Sequence, residues 1–192
     1  MTATRTLAPP PSGGDERADS FIVDPHKWLF APFDSCALLY RDPEVARRAH
    51  TQHAEYLDVL HGGEAEWNPS DYAHHLSRRA RGLPFWFSLA THGTDAYRDA
   101  VETTLAVAKG GARLIADAPH LELIMEPELS VVLFRRVGWT GQDYQAWSDR
   151  MLAEGQAFVV PTAWAGEPVL RYCVVNPRTT LDDIRLIVDS LA

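Results

Sequence analysis

Phe21-Ile22-Val23-Asp24-Pro25-His26-Lys27-Trp28 is the stretch from which the rest of the chain is best read. Its first three residues have the β-branched and aromatic character of a strand, and a second apolar run, Ala37-Leu38-Leu39-Tyr40, follows. Lys27 therefore falls in the connection between two strands expected to be buried. Flanked by His26 and Trp28, its amine is placed to be partly desolvated. Desolvation disfavours the ammonium form, lowers its pKa and frees the lone pair as a nucleophile. Schiff-base chemistry with a carbonyl cofactor needs such an amine. The competing reading is a solvated surface lysine, which is what most lysines are.

The wider segment moves the balance. Ala18-Asp19-Ser20 precedes the run, and Pro32-Phe33-Asp34-Ser35-Cys36-Ala37 follows it. Together they closely resemble the lysine segment of the group II pyridoxal-phosphate decarboxylases, which include the aromatic-L-amino-acid, tyrosine, histidine and glutamate decarboxylases. The resemblance continues through Leu76-Ser77-Arg78-Arg79-Ala80-Arg81-Gly82-Leu83-Pro84-Phe85-Trp86 and, more weakly, to the C-terminus. It implies a fold-type I architecture, with the end of an α/β large domain followed by a small α+β domain. It also implies pyridoxal 5'-phosphate as cofactor, decarboxylation of a small L-amino acid, and Lys27 as the Schiff-base lysine. By the same resemblance His26 contacts the cofactor phosphate. Asp24 stands near that phosphate, where some relatives carry Asn; a carboxylate there is unfavourable unless it faces elsewhere. Phe33 either packs near the substrate entrance or is ordinary core. Relatives often carry on a mobile loop a tyrosine that protonates the substrate carbon. Tyr56 and Tyr72 lie in the matching region, and Tyr72 joins Lys27 in the expected catalytic set; either tyrosine can equally be a packing residue.

Composition sets outer bounds. The chain has 192 residues, 46% of them hydrophobic, which is ample for a core. Lys and Arg number 18 against 26 Asp and Glu, a net charge of −8, and no basic cluster is long enough for a nucleic-acid patch. Arg78-Arg79-Ala80-Arg81, the tightest basic group, reads as structural. Cys36 and Cys173 sit in β-like runs and read as buried thiols of a reducing compartment. No apolar run reaches transmembrane length, and Met1 to Gly14 lacks the apolar core of a signal peptide, so a cytoplasmic location is expected.

Along the chain, residues 1–19, with Pro9-Pro10-Pro11 and Gly13-Gly14, read as a disordered tail. Residues 20–93 read as a remnant of the large domain, with a mobile loop at 51–75 that lacks any period. Within it, Asp42 caps a short helix over Pro43 to His50. Pro84 to Leu89 starts another. Residues 94–192 read as the small domain, α-β-β-α-β-β-α, with helices on one face of an antiparallel sheet. Its first helix, from a Thr94 cap to Ala118, carries the stripe Tyr97, Val101, Leu105, Ala108, Ala112 and Ile115, with Gly110-Gly111 weakening its centre and leaving room for a kink. Strands are expected over Leu121 to Met125, Ser130 to Arg136, Ala157 to Val160 and Val169 to Val175. A helix over Gly141 to Glu154 lies between the pairs, with Tyr144, Trp147 and Met151 on one face. The last helix starts near Thr180, with Asp183 three residues on as a partial capping box and Leu181, Ile184, Val188 and Leu191 buried.

Other constellations carry less. His50, His53, His61, His74 and His75 cluster, but no thiol or carboxylate pair completes a ligand set, so a solvated loop is preferred to a metal site. The resemblance spans roughly the C-terminal half of a decarboxylase. The relatives' upstream ring-stacking His, ring-nitrogen Asp and phosphate-binding Ser and Thr have no counterpart in the chain. The expectation is therefore a truncated, split or degenerate decarboxylase, inactive alone and completed by a complementary N-terminal half or within a homodimer. The alternative is a non-catalytic relative that serves as a dimerisation or interaction module.

Overall fold

A computed structural model of the chain describes residues 17–52 and 68–192. The chain forms two compact units, Met1–Ser88 and Leu89–Ala192. The expected boundary at 93/94 lies five residues beyond this division.

In the first unit, β1 (Ser20–Val23) pairs antiparallel with β2 (Ala37–Tyr40), Phe21 opposite Leu39 and Ile22 opposite Leu38. The one-turn helix α1 (Pro25–Trp28) lies in the connection. The strands were expected to be buried, and they are not. Phe21 and Leu39 share one face and Ile22 and Leu38 the other, and all four are about half exposed. Two strands form this sheet, and neither of its faces is fully covered among the described residues. Helix α2 (Pro43–His50) forms as its sequence requires. Pro43 occupies the first turn, where its missing N–H costs nothing, and the Asp42 carboxylate accepts the Glu44 N–H at 3.0 Å. Of the loop expected at 51–75, residues 53–67 lie outside the described residues, as does most of the expected tail. Beyond them Pro69–Tyr72 form a 3₁₀ turn capped by the Asn68 side chain. Asp71 of this turn is buried and meets the Arg47 guanidinium of α2 at 3.6 Å.

Helix α3 (Gly82–Asp117) begins in the first unit and ends in the second, and its backbone leaves the helix at Gly93 (φ 78°, ψ 161°). At Gly110-Gly111, where the sequence leaves room for a kink, the helix runs on unbroken. These glycines serve close packing instead, because a Cβ on Gly111 would meet Tyr172 Oη and Ile184 Cγ2.

The second unit holds β3 (Leu121–Leu123), β4 (Val131–Arg136), α4 (Gly141–Ala153), β5 (Val160–Trp164), β6 (Glu167–Cys173) and α5 (Leu181–Asp189). The sheet order is β3-β4-β6-β5, antiparallel throughout. Register places Val132 beside Tyr172 and Phe134 beside Leu170, on one face. That face meets α3 (Ala108, Ala112, Ile115), α4 (Tyr144, Trp147, Met151) and α5 (Ile184, Ile187, Val188) in one core. Thr140 and Thr180 each open a helix with a complete capping box, as the Thr180 spacing predicts. Leu181 was expected in the core but is 41% exposed; Ile187 takes the inward place. The strand expected at Ala157–Val160 is shifted to Val160–Trp164. A two-residue turn, Ala165-Gly166, joins it to β6, both residues with positive φ, as a tight hairpin requires. Pro161 is tolerated because β5 is an edge strand.

Candidate functional site

Lys27 is the third residue of the one-turn helix α1, and that turn sets its geometry. Pro25 fixes φ at the first helical position, and the Lys27 N–H donates to the Asp24 carbonyl at 3.0 Å. Asp24 precedes Lys27 by three residues, so the two side chains fall on one side of the turn. Lys27 Nζ lies 2.7 Å from Asp24 Oδ2. The amine is not desolvated as expected: its side chain is 68% exposed. The hydrogen bond and charge of Asp24 raise its pKa, outweighing a small desolvation effect. The same ion pair holds the Asp24 carboxyl below its ordinary value. The expectation failed because it rested on buried strands, and β1 and β2 are exposed.

The β1–β2 register, continued one step past Val23 and Ala37, sets Asp24 opposite Cys36, whose thiol also hydrogen-bonds the carboxylate. Cys36 and Cys173 are free thiols, but both are exposed rather than buried, since each lies at a strand end and not within a covered face. Local desolvation and then Asp24 hold the Cys36 thiol above its usual pKa.

His26 is held by the loop that follows it. Its Nδ1 lies against the backbone of Ser35, accepting from the Ser35 N–H at 3.2 Å or, with a proton on Nδ1, donating to the nearer carbonyl. Its ring and that of Phe33 lie edge to face, with centroids 5.2 Å apart. Phe33 itself is 87% exposed, which removes the reading of it as core. Next to it, Asp34 receives Arg79 at 2.7 Å and Arg81 at 3.1 Å. The Arg81 hydrogen bond, its own backbone and Arg79 together lower the Asp34 carboxyl pKa. The basic cluster thus ties residues 79–81 to the loop that follows Lys27. Its sequence signal was visible, but its partner was not, because Asp34 is 45 residues away from Arg79.

A cleft of about 750 Å³ opens beside this cluster, with Cys36, Tyr40, Tyr72, Arg78 and Arg81 in its wall. Tyr72 is carried there by the 3₁₀ turn, which the Arg47–Asp71 pair fastens to α2. Cys36 therefore links the two parts, touching Asp24 on one side and lining the cleft on the other. Tyr56, the other candidate proton donor, lies outside the described residues, as do His53 and His61. His74 and His75 meet ring edge to ring face, and among the described residues no three His, Cys, Asp or Glu side chains converge as a metal site would require. Among those residues no helix is long and apolar enough to cross a membrane.

Comparison with known proteins bears directly on this loop. Residues 8–137 match the family model for the pyridoxal-dependent decarboxylase conserved domain. An aromatic-L-amino-acid decarboxylase of Bacillus atrophaeus is 30% identical over 183 residues, covering 91% of this chain and 38% of that protein. A histidine decarboxylase of Drosophila melanogaster is 31% identical over 174 residues, covering 89% of this chain and 20% of that protein. Among solved structures, Oryza sativa TDC with PLP and tryptamine superposes with a TM-score of 0.81 at 26% identity, covering 93% of this chain and 39% of that one. Mouse CSAD in apo form superposes at 0.75, with 24% identity. The chain thus spans about two fifths or less of the length of these relatives. Their shared architecture accounts for the mixed first unit and the α+β second unit alike. The chain belongs to the pyridoxal-dependent decarboxylase family, over a part of its fold-type I architecture.

Proposed function

We propose that this chain is the lysine-bearing portion of a pyridoxal-phosphate-dependent decarboxylase acting on an L-amino acid, with Lys27 as the residue that bonds the cofactor. The observation that carries this reading is the Lys27 amine, exposed on a one-turn helix inside the segment matched to the family. An exposed primary amine fits a carbonyl cofactor. The residues that would hold the cofactor are Lys27, through Nζ, and His26, whose Nδ1 is occupied by Ser35 and whose ring orientation is therefore set. Pyridoxal phosphate supplies a carbonyl that condenses with an amine and a ring that takes up negative charge from the substrate carbon.

The chain's own groups divide the remaining work. Lys27 must shed a proton from Nζ before it acts as a nucleophile. Tyr72, on the wall of the cleft, holds a proton at Oη and is the described residue best suited to return one to carbon. Asp34, Arg79 and Arg81 position the loop between Lys27 and Cys36. Completion by an N-terminal half, by a second copy, or by both fits the short span of the relatives covered by the chain. The exposed apolar faces of β1 and β2 favour such a partner, and would serve a non-catalytic interaction module equally well.

The test uses the full chain with pyridoxal phosphate, reduction by borohydride and peptide mapping. The chain has two lysines, Lys27 and Lys109, and label is expected on Lys27. Label on Lys109 alone, or none, would refute the assignment. Carbon dioxide release from a panel of aromatic and acidic amino acids, with and without an N-terminal half, then reads the activity.

A further inference from the structure

We propose that Asp24 is the resident counter-ion of Lys27, holding its amine as an ammonium and so setting the pH at which Lys27 attacks a carbonyl. The inference deepens the proposed function and rests on the reading that Lys27 bonds a carbonyl cofactor.

Three observations carry it. Asp24 Oδ2 lies 2.7 Å from Lys27 Nζ, close enough for a charge-assisted hydrogen bond. Asp24 also occupies the N-cap position of α1, where an aspartate ordinarily accepts a helix N–H; here its side chain makes no such bond. The carboxylate is committed to Lys27 and Cys36 instead of to the backbone. Finally, the sequence spacing keeps the pair together, because one helical turn separates Asp24 from Lys27 and the Pro25 ring stiffens that turn. The titratable groups facing the pair are Cys36, just before β2, and His26, within α1. Neither places a competing cation on the Asp24 carboxylate within ion-pair distance.

The chemical consequence is direct. An ammonium has no lone pair, so its proton must leave to solvent before the nitrogen forms a bond to the aldehyde carbon. The carbonyl oxygen then departs as water, leaving a C=N bond. A neighbouring carboxylate stabilises the ammonium and makes the first step harder at neutral pH. Because Lys27 is largely exposed, the effect is the size of a surface ion pair and weakens with salt.

The probe is formaldehyde with cyanoborohydride, in which hydride reduces the C=N bond to a stable methylamine on either lysine. Rates at Lys27 and Lys109 are read by mass spectrometry in the wild-type chain, Asp24→Asn and Asp24→Glu across a range of pH. At low salt and neutral pH, Asp24→Asn is expected to speed labelling of Lys27 by about two- to fivefold, the size of an exposed ion pair. The pH midpoint of labelling is expected to move down. Asp24→Glu should restore the wild-type rate, high salt should narrow the difference, and Lys109 should label alike in every variant, which checks that the fold is intact. An unchanged or slower Lys27 rate in Asp24→Asn, with Lys109 unaffected, would overturn the inference. Failure of pyridoxal phosphate to link to Lys27 in any variant, with the formaldehyde result as expected, would instead sink the proposed function and leave the counter-ion standing.

Discussion

Replacing Gly111 with alanine should destabilise the second unit even though alanine is the better helix former. The helix gains about 1 kcal/mol from the substitution itself. Against this, the new Cβ would overlap Tyr172 Oη and lie 2.9 Å from Ile184 Cγ2. Neither neighbour can withdraw. The Tyr172 ring packs 5.8 Å from that of Phe134, and Ile184 is 3% exposed on the inner face of α5. Overpacking against rigid neighbours costs about 1–3 kcal/mol. With two such contacts the upper part of that range applies, and the net loss is about 2 kcal/mol. For a chain of this length the midpoint falls by roughly 4–8 °C. Gly110→Ala is the internal control. Its Cβ would meet Leu181 Cδ2 at 2.6 Å, but Leu181 is 41% exposed and can rotate away, so the result should be neutral or stabilising by up to about 1 kcal/mol. Thermal unfolding of the full chain by circular dichroism measures both. Tyr172→Phe in the Gly111→Ala background removes the nearer overlap and should recover about 1 kcal/mol. If Gly111→Ala proves as stable as the wild type, or both alanine variants lose equally, the packing argument is wrong.

Tyr172→Phe alone should cost little or even stabilise. Burial drives the phenol pKa well above its usual value, and its hydroxyl finds no hydrogen-bond partner among the described residues, so removing it relieves an unmade bond; chemical denaturation would read the difference. Thr180→Ala should cost about 1 kcal/mol through loss of the α5 cap, measured the same way. Asp143 and Asp183 have carboxyl pKa values lowered first by the N–H groups of Thr140 and Thr180. Their folded values lie below the unfolded one, so their stabilisation is complete above about pH 4 and is lost as pH falls through the folded values. Replacing both with asparagine should flatten the acid limb of a stability–pH curve, and an unchanged slope would count against the capping boxes. Lys27→Ala should abolish the borohydride-stable link to pyridoxal phosphate while leaving the unfolding midpoint within about 1 °C, as expected of an exposed side chain.

Much was already written in the sequence. The segment around Lys27 pointed to the family, and the family model matches the residues that contain it. Helix starts at Asp42 and Thr180 were legible for a local reason: a cap and its partner lie within three residues, so neither depends on distant chain. The α-β-β-α-β-β-α order and the inward faces of α4 and α5 followed from apolar spacing, Leu181 excepted. Tertiary structure decided the rest, wherever the deciding neighbour is remote in sequence. β5 was misplaced because its strand holds Pro161, which an edge position alone makes acceptable. Gly110-Gly111 read as a helix defect because glycine's local cost is visible in sequence, whereas Tyr172 and Ile184, which need its missing side chain, are supplied by other elements. The same holds at the site. Sequence singled out Lys27, His26, Asp24 and Tyr72, but not that Asp24 grips Lys27, that Cys36 joins them, or that Asp34 binds the arginines of residues 79 and 81. Desolvation of Lys27 was inferred from apolar letters on either side of it. Burial, however, requires atoms overhead, and the half-exposed pair of strands supplies few, so the Asp24 hydrogen bond outweighs desolvation and raises the amine's pKa.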